Sequence, residues 1–240
     1  MKNYRSIQFV LSFFVLTTLT IPSIAGPPLI CHPFEIGEAK SIAWNGRQWR
    51  DVKKDYDLNQ LVPDVMAILE TDAPVLVRME TMRRAAVYAV WSLRDHKVGF
   101  DPKGERVALA LLEKILVRKN AAEARGFKTN ADKLALFDAG YLIETYKYIG
   151  FDEISQQKAS LPSDSLAWVE KANDALDCPG EIELALAIIL QNHQGTSGQQ
   201  DKHLKTAVGK ASEGSLLAKN LVSHFPDKGA TLNALKASLK

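Results

Sequence analysis

The chain has 240 residues, 46% of them hydrophobic and 8% aromatic, with 30 Lys and Arg against 28 Asp and Glu and only two cysteines. That hydrophobic share excludes a disordered chain, and two cysteines exclude a small disulfide-dense scaffold. A formal charge of +2 excludes a dedicated nucleic-acid binder.

Residues 1–25 read as a secretory signal peptide. Lys2 and Arg5 form a positive start, Ile7 to Ile21 a mostly apolar centre, and Pro22 breaks the helix. Ser23-Ile24-Ala25 places small residues where signal peptidase needs them, so cleavage is expected at Ala25-Gly26. The apolar stretch falls short of the ~18 residues of a membrane span. No stable membrane anchor is expected after cleavage, and the mature protein is expected in the periplasm or secreted. Both charges of the signal are basic, so the mature chain carries 28 of each sign and is formally neutral. It has no field to steer nucleic acid.

Residues 26–56 are proline-rich and aperiodic and read as an irregular N-terminal arm, ahead of a helical domain at 57–240. From about Leu58 the spacing turns helical. Val75, Met79, Met82, Ala86, Val90 and Leu93 step by three and four. Asp101-Pro102 supplies an N-cap and first-turn proline for a helix that ends near Gly126. Thr129-Asn130-Ala131-Asp132 resembles a capping box with Asp for Glu, and the helix it opens ends at Gly150. A helix spans about Ser163 to Leu176. Ile182 to Leu190 is apolar nearly all round apart from Glu183 and is expected to be the most buried. Gln194 to Asp201 reads as a polar loop. A stripe from Leu204 to Phe225 is interrupted by Gly209 and Gly214, which either allow close approach or mark a break. Leu232, Leu235 and Leu239 form a last short helix. No strand pattern emerges. The fold class is all-α, with seven or eight antiparallel helices in a bundle or a short α-solenoid.

One segment bears on that choice. Leu136-Phe137-Asp138-Ala139-Gly140-Tyr141-Leu142-Ile143-Glu144-Thr145-Tyr146 resembles the first helix of a tetratricopeptide repeat, a family in which Gly and Tyr on one face let the paired helix approach. The resemblance covers one helix. The 34-residue period does not recur, and the Ala, Phe and Pro positions of the second helix depart from the pattern.

Export makes Cys31 and Cys178 a candidate disulfide. Their separation of 147 residues would give about 5 kcal/mol by loop entropy; two unpaired thiols are the alternative. Cys31-His32 lacks the first cysteine of a haem attachment motif, with Pro28 in its place. His32, His96, His193, His203 and His224 show no metal-ligand spacing, and no metal or cofactor is expected. Gly195-Thr196-Ser197-Gly198 is not a nucleophile elbow, and Gly209-Lys210-Ala211-Ser212 is not a phosphate loop. The Glu-Ser and Gly-Leu-Met-Gln signatures of lytic transglycosylases are absent, so no catalytic residue is assigned. Glu181 and Glu183 suit the first turn of a helix. His96 and His224 are expected near helix C-termini, where a cation is favourable.

Arg78, Arg83, Arg84 and Arg94 are expected on a solvated, salt-bridged face, with Glu80 pairing with Arg84. His32, Phe34, Glu35, Trp44 and Trp49 are the candidate contacts for a ligand or partner, although such aromatics more often staple an arm to its own helices. Two functions follow. The first is an exported, non-catalytic helical module for protein interaction or scaffolding, with an unknown partner and an exposed apolar patch. The alternative is an extracytoplasmic enzyme or small-ligand binder with a pocket near the arm, drawing on Cys31, His32, Glu35 and Glu38.

Overall fold

Three helices are buried on nearly every side, and the rest of the chain packs around them. They belong to a computed structural model that describes residues 28–240 apart from 47, 92–100, 156–159 and 178. The signal-peptide reading of 1–25, Arg94, His96 and Cys178 therefore lie outside the described residues. Among the described residues there are eleven α-helical segments and no strand, so the chain is all-α.

A four-residue helix, α1 (Pro28–Cys31), precedes an irregular stretch that reaches a 3₁₀ turn at Leu58–Gln60. Then come α2 (Leu61–Leu69) and α3 (Val75–Ala86), which runs into a π-helical turn at Val87–Trp91. Next are α4 (Pro102–Ala124), α5 (Asn130–Tyr148) and the short α6 (Phe151–Ile154). The chain finishes with α7 (Ser165–Ala175), α8 (Gly180–Leu190), α9 (Ser197–Lys210), α10 (Leu216–His224) and α11 (Leu232–Ser238).

Local chemistry sets these ends. Asp101 accepts from the Lys103 and Gly104 amides to open α4, ahead of Pro102. The Thr129–Asp132 capping box is formed at α5. Gly126 and Gly150 take left-handed backbone after α4 and α5. The long stripe from Leu204 to Phe225 is broken: Gly214 adopts φ 75°, and Ser215 then caps α10. The polar segment 194–201 is not all loop, because α9 already starts at Ser197.

Contacts fix the packing directions. Tyr146 donates to the Ala108 carbonyl, Arg118 to Asp138 and Arg125 to Asp132, so α5 runs back along α4. Ser165 and Val169 crowd Gly140 while Ser163 meets Lys147, which sets α7 against α5 in the same antiparallel sense. Asn173 meets Glu183, and Glu183 meets His203, continuing the sense through α8 and α9. Yet α3 packs on both α5 and α8, and α1 touches all three. A solenoid repeat contacts only its neighbours, so the arrangement is a bundle. Gly140 is where α7 approaches α5.

In α8 every residue from Ile182 to Leu190 is buried, as its pattern implies. Each large aliphatic side chain there contributes about 1.5–3 kcal/mol by leaving water. The stretches Ala135–Tyr146 of α5 and Leu76–Arg83 of α3 are buried without a break as well. Burial of α3 corrects the expectation of a solvated cationic face. Arg78 and Arg83 are fully buried and Arg84 is half-buried. Arg78 donates to Asp138 and to the carbonyls of Leu69, Thr71 and Ala73, closing the end of α2. Arg83 and Arg84 share Glu80.

Candidate functional site

The arm residues came first in the sequence, and the structure ties most of them to the bundle. Glu80 accepts the Phe34 amide at 3.0 Å in addition to its two arginines. Burial pushes its carboxyl up, but Arg83, Arg84 and that amide together hold it below the ordinary carboxylate value. The Phe34 ring is buried and stacks on His224 at 4.5 Å, and the His32 ring lies 5.5 Å from His224. The Glu35 backbone exchanges two 2.9 Å bonds with the Asn220 carboxamide, leaving its carboxylate exposed. Trp44 lies over the guanidinium groups of Arg83 and Arg84, at 5.1 and 5.5 Å, with its edge toward Tyr88. Half-buried Trp49 packs on the core beneath Arg50.

These contacts staple the arm. A cleft of about 300 Å³ remains between Pro33–Gly37, Trp44, Glu80 and Arg84, but Glu80 and Arg84 are bonded to each other. The set Cys31, His32, Glu35 and Glu38 does not converge: His32 faces His224, whereas Glu35 and Glu38 are exposed. The Cys31 thiol is free, so the bridge to Cys178 is not shown. Burial pushes that thiol up, against the pull of Arg50 and Arg83. His224 ends α10, yet it is not a cation. Burial pushes its ring down to about 4, and Nδ1 donates to the Asn220 carbonyl.

A larger cleft, of about 520 Å³, opens elsewhere, where α1, the end of α5 and the turn after α8 meet. Leu29 and Ile189 form its apolar wall. Glu144, Lys147 and Tyr148 enter from α5, and Asn192, His193 and Gln194 from the turn. The Thr196 hydroxyl donates to the carbonyls of Leu190 and His193, which fixes that turn and carries His193 to α5. Glu144 is nearly fully buried. Its Oε1 accepts from Lys147 at 3.1 Å and from the Ser165 hydroxyl, and its Oε2 meets His193 Nε2 at 3.0 Å. A carboxylate only accepts, so Nε2 carries the hydrogen and Nδ1 is left over. Lys147 also reaches Ser165 Oγ at 2.6 Å. Burial, with Cys31 nearby, pushes the Tyr148 phenol up to about 12.

Of this group, only His193 stands out in the sequence, as one of five scattered histidines. The available signal was Glu144 and Lys147 interrupting an otherwise apolar run. The 49-residue step from Glu144 to His193 is tertiary. A parallel pairing, His203 Nδ1 to Glu183 at 2.6 Å with Asn173 on the other oxygen, sits between α7, α8 and α9. Among the described residues no cluster of three His, Cys, Asp or Glu side chains could hold a metal ion, and no helix is long and apolar enough to cross a membrane. No family model, curated protein or solved structure matches the chain.

Proposed function

We propose that the protein is an exported, non-catalytic helical protein that binds a small polar molecule in the 520 Å³ cleft between α1, α5 and the turn after α8. The observation that carries this reading is the convergence there of Glu144, Lys147, Tyr148 and His193 against an apolar wall. Such a cleft has the size and mixed lining of small-molecule sites. It abuts α1, at the start of the arm.

The protein-docking reading finds less support. Among the described residues the exposed large hydrophobics are Val117 and Leu216, one on α4 and one on α10. Single exposed side chains of this kind are ordinary on a monomer. Catalysis is disfavoured by the state of the nucleophiles. The Ser165 hydroxyl is fully buried, donates to Glu144 and does not line the cleft. The Cys31 thiol is held protonated by burial. Export rests on Lys2, Arg5, the apolar segment and the small residues before Gly26.

Thermal-shift screening of the mature chain against a panel of small polar molecules tests the reading. A ligand at a hundredfold excess over its Kd adds about 2.7 kcal/mol, and about 2–4 °C of Tm accompanies each kcal/mol in a chain of this size. The expected result is a shift that His193→Ala abolishes. Shifts that persist in the variant, or none across the panel, would falsify the assignment.

A further inference from the structure

We infer that the molecule held in this cleft is neutral and hydroxyl-rich, of saccharide type, recognised by Tyr148, His193 and Gln194 rather than by the ion pair at the cleft's edge; the inference rests on the ligand-binding reading above.

The charged groups are already committed. Both oxygens of Glu144 have partners, Lys147 and Ser165 on one and His193 on the other. Lys147 spreads its hydrogens over Glu144, Ser165 and the Ser163 carbonyl. Their formal charges cancel. A charged ligand entering here would lose its hydration and find no free counter-ion, which is costly.

What remains open is polar. The Tyr148 hydroxyl and His193 Nδ1 have no hydrogen-bond partner among the described residues. Asn192 donates its amide to the Ile188 carbonyl, leaving Oδ1 to accept. Gln194 is exposed at the rim with both ends of its amide available. Both donors and acceptors thus remain free at the mouth, and each sugar hydroxyl can serve as either. Leu29 and Ile189 line the cleft but are almost fully buried, so polar groups carry the recognition. A cleft of about 520 Å³ suits one or two sugar units.

Isothermal titration calorimetry on the mature chain tests this with glucose, N-acetylglucosamine and maltose as neutral probes. Glucose 6-phosphate, glutamate and spermidine serve as charged ones. Expected is binding of a neutral saccharide that is insensitive to salt and weakened about tenfold by each of Tyr148→Phe and Gln194→Ala. Neither substitution removes a bond within the protein, and circular dichroism verifies that both variants fold. Tightest binding by a charged probe, salt-dependent and sensitive to the same variants, overturns the ligand class and leaves the small-ligand reading intact. Saccharide binding indifferent to both variants overturns the site. No binding by any probe overturns both readings.

Discussion

Arg83 donates through Nε and Nη2 to both oxygens of Glu80, one turn earlier on α3, while its Nη1 donates to the Ile30 carbonyl at 2.9 Å. Neither side chain meets water. One fully buried cation thus joins the core helix to the arm. Glu80→Gln strands the buried Arg83 guanidinium in the interior and takes a partner from half-buried Arg84; it should cost about 3–5 kcal/mol, read from urea midpoints. Losses below about 1 kcal/mol would show that the pair does not hold the arm.

Arg78 offers a sharper test, because charge and shape separate there. Its three nitrogens serve Asp138 and three carbonyls at the end of α2. Lysine keeps the charge but has a single nitrogen and no planar fork. Arg78→Lys should therefore destabilise by about 2 kcal/mol or more. Wild-type stability in chemical denaturation would mean that charge alone suffices.

The ring of His224 titrates at about 4 in the folded state, against an ordinary value of 6.5. Protonation consequently favours the unfolded chain. The stabilisation is complete above pH 6.5 and is lost as the pH falls toward 4, by about 3 kcal/mol in all. His224→Gln should flatten the pH dependence of unfolding across that interval. An unchanged slope would assign the dependence to other groups.

Acid should act on carboxylates at lower pH. Asp132 is held at about 2 by the Arg125 guanidinium, with Thr129 assisting against burial. Glu80 also lies below its ordinary value. Both therefore stabilise the fold above the ordinary carboxylate range, and that contribution disappears as the pH falls through their folded values. Carbon-detected NMR titration should place the Asp132 midpoint near 2; a midpoint near the ordinary 3.8 would refute the pairing with Arg125.

Two glycines should respond in opposite directions to alanine. A Cβ at Gly140 would sit 2.6 Å from the Ser165 carbonyl and 2.7 Å from Val169. Pushing α7 away should cost about 1–3 kcal/mol, more than the gain in helix propensity returns. At Gly209, on α9, nothing lies within 4 Å. Gly209→Ala should stabilise by up to about 1 kcal/mol. Thermal unfolding of the two variants checks the pair, and equal Tm values would discount the close approach at Gly140.

Helix class and most helix ends are legible because caps are local: Asp101, Thr129, Gly126 and Gly150 act within a turn of their own position. The interior arginines are not legible that way. Arg78 and Arg83 share a helix with residues of helical apolar spacing, and a charged residue in such a stretch ordinarily turns outward. Their partners are what reverse this, and Asp138 lies 60 residues away. The cleft was hidden for the same reason: Glu144 and His193 meet only when the turn after α8 is brought against α5. The arm was easier, since Phe34, Trp44 and Trp49 have only the helices to cover them.

The tie between Glu35 and Asn220 spans 185 positions and joins the arm to α10. The arm's other hydrogen-bonded anchors lie on α2, on α3 and at Tyr88 just beyond it. Apart from four helical residues, its described residues have no regular structure of their own. The arm is thus held both by nearby α3 and by α10, 185 positions on, so a chain that lacked α10 would keep the first set of ties and lose the second.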